Sequence, residues 1–245
     1  MKWKLPKRKQ PVWRIFKAIV KPFLGAKEVV NLGDEPMTEK CIIVSNHANK
    51  KGPLSLELSL PIFHARWAAS PMMEGYKDRW HYLRDVLYVQ KNGTNKFWAS
   101  IKSTIEAIFS PYVYKGLKAI PSYIGSRMRK TINYSMECLD NGIAVGIYPE
   151  NSNSGYHDEL IELHTGFVFL SEMYRRKTGE DVPVYPVYIG KVNKKRKVVI
   201  GKPIKIGELM DSGLDRKAVA EHFLGLINQL YFDYFKPNGK EITTT

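Results

Sequence analysis

The sequence predicts an α/β fold: one domain, with a mixed, largely parallel sheet flanked by helices on both faces. Three observations carry this expectation. Short apolar runs alternate with stretches of helical spacing. Two of those runs, Ile42–Val44 and 143–148, pass straight into polar turns, as buried strands of open α/β sheets do. No internal repeat, low-complexity segment or Gly/Ser/Pro linker divides the chain. With 245 residues, 44% of them hydrophobic, it can bury one large core or two small ones.

The N-terminal thirty residues hold nine Lys/Arg against one acid, Glu28. Within them Pro11 to Lys21 reads as a short helix. Val12, Ile15, Phe16 and Ile19 fall on one stripe, and Arg14, Lys17 and Lys21 on another. That pattern, with Trp13 beside it, suits a basic helix lying in a membrane interface or packed on its own domain. Pro22 is expected to end or kink it. The apolar run is broken by Lys17 and Lys21, so it does not read as a secretory signal. The organisation expected is a basic amphipathic segment over 1–30, an α/β domain over 31–236 and a loose tail over 237–245.

After a turn at Leu32–Pro36, the first buried strand ends in Ser45-Asn46-His47. Pro53 opens a helix carrying Leu54, Leu56, Leu58 and Leu60. Residues 65–70 suggest a second strand. A loop-rich stretch follows, and then a helix with Trp98, Ile101, Ile105 and Ile108 at helical spacing, stopped by Pro111. Ala119-Ile120-Pro121 is short and apolar. Arg127 to Leu139 forms a helix with Met128, Ile132, Met136 and Leu139 on one face, closed by Asn141-Gly142. The second buried strand then runs into Pro149-Glu150-Asn151-Ser152-Asn153. Leu160 to Tyr174 is expected to be helical. An extended, proline-interrupted strand (182–188) leads to a basic hairpin over 191–204. The last helix, from Leu214 to Phe235, places Val219, Phe223, Ile227, Leu230 and Tyr234 on its core side.

The net charge of +14 calls for an anionic partner, either nucleic acid or a membrane rich in anionic lipid. Trp and Tyr beside Lys and Arg suit a bilayer interface. No nucleic-acid motif occurs, so no nucleic-acid partner is expected. Cys41 and Cys138 lie in apolar contexts without metal-ligand spacing, and read as buried thiols in a reducing compartment. No stretch approaches the length of a membrane-spanning helix. His47, at the end of a buried strand, is the best single candidate for a general base. The plainer role for it is a hydrogen bond within the turn.

Four stretches come in a telling order: Asn46-His47, Ala119-Ile120-Pro121, Tyr148-Pro149-Glu150 and Val182-Pro183-Val184-Tyr185-Pro186-Val187. Together they resemble the blocks of the PlsC-type glycerolipid (lysophospholipid) acyltransferases, across roughly residues 40–205. That resemblance implies transfer of a fatty acyl group from acyl-CoA or acyl-carrier protein to a lipid acceptor, at the cytoplasmic face of a membrane. The enzyme would be peripheral, with an anionic membrane surface as partner and no metal or other cofactor. His47 would take the acceptor proton, with Glu150 in the catalytic group. Asn46, Asn151, Ser152, Asn153, Lys50 and Arg127 would bind substrate.

The chain departs from the family pattern in three places. Gly52 stands where the family has the aspartate that orients the histidine. Ile124 falls near the second block's arginine position. Asn151-Ser152-Asn153 replaces Gly-Thr-Arg. An orienting carboxylate is worth roughly 10⁴ in rate in a Ser-His-Asp site, so a substitute matters. Glu57 and Asp158 are the candidate orienting carboxylates. Without one, the expected alternative is a weak or inactive relative that binds lipid or a partner at the membrane.

Overall fold

The computed structural model describes residues 4–48, 52–151 and 155–236. Its strands are β1 (Glu28–Asn31), β2 (Ile42–Ser45), β3 (His64–Ala69), β4 (Ala119–Ser122), β5 (Ala144–Ile147), β6 (Pro183–Val192), β7 (Lys195–Ile200) and β8 (Ile204–Lys205). They form one sheet in the order β1-β7-β6-β2-β5-β3-β4, with β8 paired to β6. The run β6-β2-β5-β3-β4 is parallel throughout. Only β7 and β8 lie antiparallel to β6, while β1 is parallel to β7.

The helices are α1 (Pro11–Leu24), α2 (Gly52–Ser59), α3 (Tyr76–His81), α4 (Lys96–Gly116), α5 (Met128–Asp140), α6 (Gly166–Thr178), α7 (Ile206–Asp211) and α8 (Arg216–Tyr234). A π-helical stretch, Tyr82–Lys91, joins α3 to the turn before α4. Strand β2 is buried on both faces, as a central parallel strand must be. Its pleat sends Ile42 and Val44 to the core under α5, α6 and α8, and Cys41 and Ile43 to the core under α2. The β6–β7 hairpin turns on Asn193 and Lys194, both with positive φ, a geometry that matches the strand twist.

Several expectations change. The helix expected from Leu160 begins at Gly166, and Leu160 and Leu163 are buried in the loop before it. Pro22 does not end α1, which continues to Leu24. Pro111 does not stop α4, which runs to Gly116. The reason lies outside the helix. Pro111 has no N–H, so the carbonyl of Ala107 loses its helical partner. The buried guanidinium of Arg79 donates to that carbonyl from Nε at 2.9 Å. Its Nη1 also donates to the carbonyls of Met72 and Glu74.

The stripe at Trp98, Ile101, Ile105 and Ile108, for which the spacing assigns no side, faces outward. The side of α4 that is buried holds Ala99, Ser103, Ala107 and Ser110.

Arg79→Met should therefore lower the unfolding free energy by about 2–4 kcal/mol, read from urea midpoints, because three carbonyls lose one buried donor. Arg79→Lys should recover little of it, since one ammonium cannot span the three. A loss well under about 1 kcal/mol for Arg79→Met would mean that Pro111 is tolerated for another reason.

Candidate active site

The C-terminal ends of the parallel strands carry the candidate site. At the end of β2, Asn46 is 2% exposed and its amide continues the sheet by side chain: Nδ2 donates to the Ile189 carbonyl at 2.9 Å, and Oδ1 accepts from the Ile189 N–H at 2.8 Å. The resemblance implies a substrate-binding Asn46. Both ends of its amide are bonded to β6, and they fix where His47 begins. Ala48, next along, sits at φ 45°, an uncommon conformation for a residue with a Cβ.

Glu150, at the end of β5, reaches across to this turn. Its Oε2 accepts from the His47 backbone N–H at 3.1 Å, and its Oε1 from the His157 N–H at 3.4 Å. Burial raises the Glu150 carboxyl above its ordinary range, against those two N–H groups and Lys91, which favour the anion. Glu150 thus ties the β2 turn to the loop after β5. A short ladder (His164 N–H to the Pro149 carbonyl, Asn151 N–H to the Glu162 carbonyl) holds that loop from the other side. Asn151 also donates from Nδ2 to Glu162 at 2.6 Å.

The His47 imidazole lies between two tyrosines. Tyr148 meets it edge-on at 5.4 Å between centroids, and Tyr156 stacks on it at 4.8 Å. Lys91, at the end of the π-helical stretch, stands 5.5 Å from the centre of the Tyr156 ring. Burial lowers the Lys91 ammonium and Glu150 partly restores it. The sequence names Tyr148 only within the block Tyr148-Pro149-Glu150, with no site role, and does not point to Tyr156 or Lys91. Tyr148 follows a buried strand and could have been found there, whereas nothing local marks Tyr156 or Lys91.

Gly52 is more than a missing aspartate. A Cβ at this position would sit 1.9 Å from the His47 carbonyl oxygen. The chain path admits no side chain here, so no carboxylate can approach the imidazole from position 52 without moving the turn.

The two candidate orienting carboxylates are placed as follows. Glu57 is buried in the middle of α2. It accepts from Arg66 Nη2 at 2.6 Å, Lys118 Nζ at 2.7 Å, Lys17 Nζ at 3.3 Å and Trp13 Nε1 at 3.4 Å. Its carboxylate is thereby committed to a structural ion cluster. Asp158 is exposed, and its backbone carbonyl accepts from the Tyr188 hydroxyl at 2.7 Å. Arg127 lies directly before α5, over the Tyr123 ring at 4.6 Å and 3.7 Å from Glu74. It lines an open cavity of about 360 Å³ with Ser70, Glu74, Asp78 and Tyr82. Lys50, Ser152 and Asn153 lie outside the described residues, as does the tail from 237. Among the described residues, no three His, Cys, Asp or Glu side chains gather as a metal site would need.

The Glu57 cluster also fixes a tautomer. Arg66 only donates, and its Nη2 is 2.6 Å from His64 Nε2, so that nitrogen is the acceptor. His64 is then neutral, with Nδ1–H directed at the Ile62 carbonyl at 3.1 Å. Burial, helped by Arg66, pushes the His64 imidazole down to about 3. For Glu57, burial acts upward, but Arg66, His64 and Lys118 outweigh it and hold the carboxyl at about 2. Both shifts act with the same sign. Between pH of about 6.5 and 3 the unfolded chain protonates His64 while the folded chain does not. Between about 4.5 and 2 the same holds for Glu57. Each group's contribution to stability is therefore full above its unfolded pKa and is lost as pH falls. The urea midpoint should drop from pH 7 to 5, and His64→Gln should flatten that segment while keeping the fall below about 4.5. Parallel curves for the two proteins would contradict the assignment.

No family model and no curated protein sequence matches the chain. At the level of structure the chain is similar to the crystal structure of the 1-acyl-sn-glycerophosphate (LPA) acyltransferase PlsC from Thermotoga maritima. The match has a TM-score of 0.51 at 14% identity, and it covers 92% of this chain and 80% of that one. The protein therefore has an acyltransferase-like fold, in which the end of β2 carries His47.

Proposed function

We propose that the protein is a membrane-associated acyltransferase. It moves a fatty acyl group from acyl-CoA or acyl-carrier protein to a hydroxyl of a lysophospholipid-like or other lipid acceptor. His47 is the general base. The imidazole takes the acceptor proton as the oxygen attacks the thioester carbonyl. The tetrahedral intermediate then expels the thiolate, which recovers the proton from the imidazolium. Glu150 positions His47 through its backbone. Lys91 and Arg127 supply positive charge for an anionic acceptor. The basic N-terminal segment meets the anionic surface of the membrane, and the protein works as a peripheral protein on its cytoplasmic side.

The observation that carries this reading is the seating of His47. Three contacts converge on one short turn: the Asn46 amide on β6, the Glu150 carboxylate on the His47 N–H, and the tyrosine pair about the ring. A turn that merely closed a strand would not need an imidazole held this way.

Gly52 favours a second reading, a relative that binds lipid but turns over weakly or not at all. The two readings divide on one assay. The purified protein is incubated with labelled acyl-CoA or acyl-carrier protein and a total lipid extract. An acyl product that falls at least about 100-fold in His47→Ala supports the enzyme. No His47-dependent product with any acceptor leaves the binding relative. Gly52→Asp should give no gain in the same assay and should destabilise the chain, because its Cβ meets the His47 carbonyl. A tenfold gain would mean that the turn relaxes to accept an orienting carboxylate.

A further inference from the structure

α4 differs from α5 and α8 in the side it buries. α5 and α8 bury their large apolar residues, such as Ile132, Leu139, Phe223 and Ile227. α4 does the reverse. Its buried side is Ala99, Ser103, Ala107 and Ser110, packed toward α3 and the π-helical stretch. Its outward side carries Phe97, Trp98, Ile105, Ile108, Phe109 and Tyr112, each more than half exposed. At about 100° per residue these outward side chains, with Ile101, span an arc of about 120° opposite the small ones. Over the roughly 22 Å from Phe97 to Tyr112 the stripe is unbroken. An apolar strip of this size costs solubility unless something covers it.

We propose that the cover is an anionic lipid bilayer, with α4 lying in the plane of its interface. Charge complementarity selects this occupant. Lys102 lies beside the stripe and Lys115 just beyond its C-terminal end, and both are exposed. The one acid on α4, Glu106, accepts from the Tyr88 hydroxyl at 2.6 Å. Lysines beside a strip of Trp, Phe and Ile place ammonium groups at headgroup depth and side chains in the acyl boundary. A second copy of this chain is disfavoured, because it brings two +14 molecules and the same lysines together. Among the described residues, no helix is long and apolar enough to cross the membrane, so α4 lies on it.

α1 adjoins this surface. Trp13 covers Gly116 at the C-terminal end of α4, where a Cβ would meet its ring at 2.1 Å. The outer stripe of α1 (Val12, Ile15, Ile19 and Phe23) is exposed as well. α1 has no acid, and Arg14 and Lys21 are exposed on its basic row. The docking surface is therefore shared, and it extends the membrane attachment proposed above to a helix deep in the chain.

The inference rests on the membrane reading, so the test separates them. The full chain and the Ile105→Asp/Ile108→Asp variant are sedimented with vesicles of phosphatidylcholine containing phosphatidylglycerol. Both positions are exposed, so the variant keeps the fold, which circular dichroism checks. We expect the variant to partition at least about tenfold more weakly. Cys41 and Cys138 are buried, so Ile105→Cys can be labelled selectively with an environment-sensitive fluorophore, whose emission should shift to the blue on these vesicles. Wild-type binding by the aspartate variant, or an unshifted emission, overturns the role of α4 and leaves α1 as the attachment. A wild-type protein that ignores the vesicles overturns the membrane reading itself. A wild-type dimer that the aspartates dissociate, with vesicle binding unchanged, gives the face to a second copy and overturns the proposal.

Discussion

The ion cluster around Glu57 is what the remaining structure leans on. A carboxylate buried at mid-helix costs several kcal/mol unless cations and N–H groups replace its water. Here Arg66 comes from β3, Lys118 from just before β4, and Lys17 and Trp13 from α1. One side chain therefore joins α2 to two strands of the sheet and to the N-terminal helix. Arg66 carries the constraint further. Its Nη1 donates to the Pro53 carbonyl, in the first turn of α2, and approaches the Tyr148 hydroxyl at 3.5 Å. The start of α2 and one wall of the His47 site are thus referred to the same buried guanidinium. Lys118 adopts φ 55°, an uncommon backbone conformation that the paired ammonium compensates.

That arrangement explains the chemistry available to His47. The carboxylate that sequence spacing offers from α2 is spent on the frame. The carboxylate from β5 is spent on the His47 backbone. Position 52 is closed by the carbonyl of His47 itself. The described surroundings of the imidazole are aromatic, with the face of Tyr156 and the edge of Tyr148. An imidazolium over a tyrosine face gains about 0.5–2 kcal/mol. A factor of 10⁴ from an orienting carboxylate corresponds to about 5.5 kcal/mol. Such a ring contact is therefore worth at most about a third of what an orienting carboxylate supplies in a Ser-His-Asp site.

What the sequence makes legible follows from how local each cause is. β2 and β5 are readable because a strand buried on both faces must be continuously apolar. α5 and α8 are readable because their core stripes repeat at helical spacing. The passage of α4 through Pro111 depends on Arg79, which lies 28 residues from Ala107 and satisfies its carbonyl, a contact that no local pattern reveals. The commitment of Glu57 depends on Lys118, 61 residues on. Asn46 is visible as a polar residue at a strand end, yet its purchase on Ile189 requires knowing that β6 is the neighbour of β2. Gly52 looks like a lost aspartate by comparison with a motif. Only the chain path shows that the position has no room for any side chain.

The amphipathicity of the N-terminal helix shows a related limit. A single apolar stripe is expected, but α1 carries two. Trp13, Phe16, Val20 and Leu24 turn toward the domain, with Trp13 stacked on Phe16 at 4.8 Å, while Val12, Ile15, Ile19 and Phe23 stay outside. Lys17, which spacing assigns to a headgroup-facing row, reaches Glu57 instead. A period of 3.6 shows that a helix has a sided surface, but not what lies against each side. The same holds for α4, whose apolar residues fall at helical spacing and face outward. The small residues beneath it supply the deciding clue, because a helix that packs closely through Ala and Ser has its large side chains left for something other than its own core.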